Sequence, residues 1–207
     1  MGRLGFGFAL AAWVGCATSR PQVVDYSESA HMFRESDYPA TREAWTRTGK
    51  LVQDIGTVLE GWATLKGPEF RQAYVAKYAA VYSLTDSERD GLAKAQIQVS
   101  HTTYEIHLIA QSTSEKWNDL ERRTSPWRVS LVDGTGSELG PTSIKVEKFP
   151  ELYEQNFFPD RTPFSRSYTL KFAKPDAGDG FVGPSSGRLI LRISSPQGKV
   201  EFVWETK

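Results

Sequence analysis

The chain has 207 residues, with 25 basic side chains against 25 acidic ones and a single cysteine. Balanced charge leaves no electrostatic footprint for nucleic acid. One cysteine allows no intramolecular disulfide, so the fold has to stand on its hydrophobic core.

The first element is a short apolar run. Arg3 precedes Leu4 to Val14, about eleven residues, which is the length of a secretory h-region and too short to span a bilayer. Gly15 and Cys16 follow. Trp13, Val14, Gly15 and Cys16 resemble the lipobox of bacterial lipoproteins, with Trp13 standing where Leu is usual. The resemblance implies cleavage before Cys16, a diacylglyceryl group on its thiol, acylation of the new amine, and membrane attachment through that lipid. Ala17 is not Asp, and by the same resemblance this favours the outer membrane. Each buried methylene contributes about 0.8 kcal/mol, so several chains on one cysteine hold firmly where one chain does not. Two other readings compete. One is an ordinary signal cut after Ala17, since Gly15 and Ala17 are small at the right places; the other is a free buried thiol in an uncleaved chain.

Residues 17–40 are polar, with few aliphatics, and contain Pro21 and Pro39. They read as a flexible tether, averaging roughly 27 Å end to end as a coil. The expected division is therefore a signal peptide over 1–15, a lipidated cysteine with its tether over 16–44, and one domain over 45–207.

Past Trp45 the texture changes. Leu51, Ile55, Val58, Leu59 and Trp62 fit helical spacing in part, but Gly49, Gly56 and Gly61 argue against a helix. A strand near 55–65 is the better expectation. Gly67-Pro68 then places proline where a helix begins. Phe70, Ala73, Tyr74, Tyr78 and Val81 follow at helical spacing. Thr85 with Glu88 forms a capping-box pattern. Two helices are expected, near 68–82 and 86–96.

Beyond residue 95 the period becomes two. Tyr104, Ile106, Leu108 and Ala110 alternate with polar partners. So do Trp127, Val129 and Leu131; Ile144 and Val146; Tyr168, Leu170 and Phe172. Leu189, Leu191 and Ile193, then Val200, Phe202 and Trp204, complete the set. Asp133-Gly134, "AGDG" at 177–180 and "SPQG" at 195–198 supply turn chemistry. Alternation on one side of each strand predicts one buried face per sheet. The fold class read from this pattern is α+β, mainly β: an antiparallel, immunoglobulin-like β-sandwich with two short helices in its N-terminal half.

Few constellations suggest chemistry. In "HTTYEIH" a strand would put His101, Thr103, Glu105 and His107 on one face. His101 and His107 would then lie about 20 Å apart along the strand and share no ion. The expectation is a solvated polar face. Asp176 and Asp179 do not match the twelve-residue calcium-loop pattern. No Gly-x-Ser-x-Gly elbow and no Gly-x-x-x-x-Gly-Lys-Ser/Thr loop occurs. No catalytic residue, metal ligand or cofactor is assigned, and a non-enzyme is expected.

The aromatics offer more. Tyr74, Tyr78 and Tyr82 stand four apart, and Trp117, Phe157, Phe158 and Phe164 fall in connections. Aromatics bury large area at low entropy cost, so an exposed row suits a sugar ring or a partner's apolar residue. Packing into the core competes with that. The first expectation is a lipid-anchored envelope protein whose non-catalytic sandwich serves protein binding or envelope structure, with an apolar patch within residues 151–164. A glycan- or peptidoglycan-binding module is the alternative, requiring exposed Tyr or Trp beside acids and amides. A hydrolase or metal protein using His101 or His107 is the third, requiring one of them in a concave pocket.

Overall fold

The structure is a computed structural model and describes residues 23–27, 29–54, 56–114, 117–175, 181 and 187–206. Cys16 with its signal segment and the Asp176–Asp179 turn lie outside the described residues. The described residues are mainly strands, in two sheets that face each other as a sandwich, with four α-helices and one short 3-10 turn, where the sequence predicts two helices in the N-terminal half.

The first sheet holds β1 (Val23–Val24), β10 (Gly198–Thr206), β9 (Arg188–Ser195), β5 (Arg128–Asp133) and β6 (Glu138–Leu139), in that spatial order. The second runs β2 (Thr46–Gln53), β3 (Gly56–Leu65), β4 (Thr103–Ser112), β8 (Arg166–Ala173) and β7 (Ser143–Glu147). Every pairing is antiparallel except the short one between β1 and β10. The sheets approach closely at one corner. There the Arg47 Nε donates to the Val203 carbonyl at 2.8 Å. A Cβ on Gly49 would lie 2.6 Å from a Val200 methyl, so only glycine admits that approach.

The alternating residues do what their period requires. Leu189, Leu191, Ile193, Phe202 and Trp204 from one sheet meet Leu65, Ala63, Ile106, Leu108 and Leu170 from the other in a single core. The second sheet, however, is covered on both sides. Its outer face carries Thr64, His107 and Thr169 in register across three strands, and all three are buried. The expected solvated polar face is thus a polar layer sealed under helices. Period-two alternation marks which residues share a face, and cannot report that both faces are covered.

The helices that seal it are α1 (Tyr38–Trp45), α2 (Pro68–Val81), and α4 (Glu151–Phe157). α2 begins at Pro68 as its sequence predicts. Gly67 before it is forced by packing, because a Cβ there would fall 2.0 Å from the Trp45 ring. α3 (Asp86–Thr102) opens on the expected capping box, with Thr85 and Glu88 exchanging backbone bonds. It does not stop near residue 96. It runs on through β-branched Ile97 and Val99, because each added residue of a capped helix closes one more backbone bond. His101 therefore sits in the last turn of α3, not on a strand beside His107.

The polar segment before Trp45 also departs from expectation. From Val23 it is part of the body: β1 extends a sheet, and α1 buries both Tyr38 and Trp45. The Tyr38 hydroxyl donates to the Phe157 carbonyl at 2.8 Å, and the Trp204 indole donates to the Trp45 carbonyl at 2.9 Å. Two anchoring aromatics outweigh a polar average, since each buries a large area. Among the described residues no helix is long and apolar enough to cross a membrane.

Candidate functional site

The connection from β7 to β8 builds the most distinctive surface. α4 turns Tyr153 and Phe157, four apart, inward against Tyr74 and Tyr78 on α2. The two tyrosine hydroxyls of Tyr74 and Tyr153 hydrogen bond at 3.0 Å. Leu152 points the other way and is 73% exposed. Phe158 ends the helix and lies on the His107 ring. The chain then makes a tight turn through Thr162-Pro163-Phe164-Ser165. The Ser165 amide donates to the Thr162 carbonyl at 3.1 Å. The Thr162 amide in turn donates to the Ser165 hydroxyl at 2.9 Å. Proline at the second position presets the turn, and Phe164 at the third is left 83% exposed.

Two open hollows flank this turn. The first, of about 830 Å³, has Phe149, Phe158, Pro159 and Pro163 among its apolar lining. The second, of about 820 Å³, lies against Val146, Lys148 and Ser167. Arg161 lines both. Its guanidinium holds the buried carboxylate of Glu154, which also accepts from the Ser167 hydroxyl at 3.4 Å. Arg166 donates to the Asn118 carbonyl at 2.7 Å and stands 4.0 Å from Glu121. One Glu121 oxygen, Oε2, is buried without a hydrogen-bond partner. The surface therefore alternates in sign, with each arginine beside an acid.

Beneath it lies the sealed polar layer. Burial pushes the Glu105 carboxyl up, but Lys66 at 2.6 Å and Arg71 at 3.4 Å, with Lys171 beyond them, hold it below the usual range. His107 is driven the other way. Burial, and then the Lys66 charge, hold it well below the ordinary histidine range, so it is neutral. Both its ring nitrogens are buried without a hydrogen-bond partner. Phe158 separates it from the hollow, so it offers neither a base nor a ligand to a bound molecule. Among the described residues no three or more His, Cys, Asp or Glu side chains gather to hold a metal ion.

The aromatics singled out by sequence divide. Phe157 and Phe158 are core, because α4 needs an apolar face against α2 and the sheet. Tyr74 and Tyr78 are half-buried and pack on that core. Tyr82 is 48% exposed, with its ring centroid 4.4 Å from that of Tyr78. Trp117 is separate from this row and 38% exposed. Its carbonyl accepts the Trp127 indole at 2.6 Å, and a hollow of about 400 Å³ there is lined by Pro126, Pro196 and Gln197. Sequence reasoning missed Glu121, Glu154, Arg161 and Arg166, which have no motif spacing. The one available signal was the Thr-Pro-Phe-Ser turn chemistry.

No known family model and no curated protein matches this chain. A crystal structure of a novel protein of unknown function from Burkholderia pseudomallei is similar to it at 11% identity. That likeness covers 81% of this chain and 80% of the other, with a TM-score of 0.40.

Proposed function

We propose that this is a lipid-anchored cell-envelope protein, held at the outer membrane through Cys16, whose non-catalytic sandwich binds another protein. The observation that supports binding is Phe164. A large apolar ring is held out into solvent by a hydrogen-bonded proline turn, beside a hollow with an apolar floor. Such a ring docks at low ordering cost, which is how aromatic anchors contribute most of an interface's energy. The non-catalytic reading is supported by the pairing of Glu154 with Arg161, by Arg166 beside Glu121, and by the enclosure of His107. An immunoglobulin-like relationship for the sandwich is likewise our reading, supported by its two mainly antiparallel sheets.

The test places a photo-reactive phenylalanine analogue at position 164, and at exposed Val52 as control, in cells. A discrete cross-linked protein product at 164 and none at 52 is the expected result. No product at 164 removes the protein-binding reading. Intact mass of the membrane-extracted chain, against Cys16→Ser, tests the anchor: a triacyl increase lost in the variant is expected. Glycan binding is the second reading, favoured by half-exposed Trp117 beside the Gln197 amide.

A further inference from the structure

We infer that the partner of Phe164 is a second copy of this chain, the two copies exchanging their 162–165 turns across a two-fold axis; this rests on the protein-binding reading above. A two-fold contact uses the same patch twice, so a projecting group and a receiving hollow must lie on one face. Both are present here. Pro163, next to Phe164, lines the hollow whose apolar floor is Phe149, Phe158 and Pro159. The turn denies the ring its own hollow: the bond from the Ser165 amide to the Thr162 carbonyl fixes the loop with Phe164 turned out to solvent. An exposed ring held away from the apolar floor beside it can reach such a floor only in another molecule.

Charge complementarity favours the same occupant. The two hollows carry Lys148, Arg161 and Arg166 against Glu121, Glu147, Glu151 and Glu154. A partner of one sign would meet like charges at several of these positions. A second copy brings both signs to this rim. The chain as a whole is neutral, so two copies approach without net repulsion. A membrane tether would add to this by holding copies in one plane at raised effective concentration.

The experiment uses the full chain in its membranes, with the photo-reactive residue at 164. The expected product has twice the monomer mass, and its cross-linked peptide contains residues from 149–163. A product with a different protein overturns the self-association and leaves the protein-binding reading standing; no product overturns both. A second arm moves the probe to exposed Gln155, in the hollow, and adds Phe164→Asp. Dimer yield is expected to fall at least about tenfold, with the circular dichroism of the folded chain unchanged because the ring is not part of the core. An unchanged yield overturns the proposal.

Discussion

The ring of His107 stacks on that of Phe158, with centroids 3.7 Å apart and planes inclined by 27°. The contact joins the middle strand of one sheet to the end of α4, and so ties the buried polar layer to the floor of the surface hollow. It also keeps the imidazole away from water and from any hydrogen-bonding group.

That arrangement makes stability pH-dependent. The folded protein holds the His107 pKa below its ordinary value of 6.5, so above pH 6.5 both folded and unfolded chains carry it neutral and the full stability is present. Below 6.5 the unfolded chain takes up a proton that the fold resists, and stability falls as pH approaches the folded value. The same covered face bears Lys66, Lys171 and the ion-paired Glu105, so an imidazolium would enter a layer already supplied with cations. His107→Phe keeps the stack and removes the titration. Its melting temperature is expected to vary less than the wild type's between pH 6.5 and 4.5; parallel curves would refute the account.

Glu105 is the anion on which Lys66 and buried Arg71 both depend. Glu105→Gln leaves these cations without a charge partner, and removing one side of a buried pair costs about 3 kcal/mol or more. Urea unfolding at neutral pH measures it. Since the fold lowers the Glu105 pKa from its ordinary 4.5, this contribution is present above pH 4.5 and is lost as pH falls through the folded value. The deficit of the variant is therefore expected to shrink in acid.

Gly67 is required by a neighbouring ring and not by its own backbone angles. Gly67→Ala would place a methyl against the fully buried Trp45 ring. Overpacking of this kind costs about 1 to 3 kcal/mol, and the lowered denaturation midpoint should come with a shift in tryptophan fluorescence. A variant as stable as the wild type would show that Trp45 has room to move.

The cap of α3 predicts a local effect. Thr85→Ala removes the acceptor for the Glu88 amide and should cost about 1 kcal/mol. The first turns of α3 are exposed. Faster hydrogen exchange across residues 86–92 should therefore appear with little change in the global melting temperature.

Much of the body was legible in the sequence because its devices are local. Thr85 and Glu88 fix the start of α3 within one turn, and Gly67-Pro68 fix the start of α2. The alternation from Tyr104 to Ala110, or from Val200 to Trp204, names the strand and its inward face. The candidate site was legible only as far as Phe164, an aromatic in a connection. Arg161 meets Glu154, and Arg166 approaches Glu121, only after the chain has turned back on itself.

The sequence by itself determined the starts of α2 and α3 and the strands that alternate, because hydrophobic period and capping act between residues a few positions apart. It also determined neutral charge and the lipobox resemblance at Cys16. The tertiary structure decided what covers each face. His107 and Thr169, which alternation alone leaves in water, are sealed by α4 and its neighbours; Tyr38, in a segment with a polar average, is drawn into the core. Burial depends on elements far apart in the chain coming together, and no local pattern carries that information.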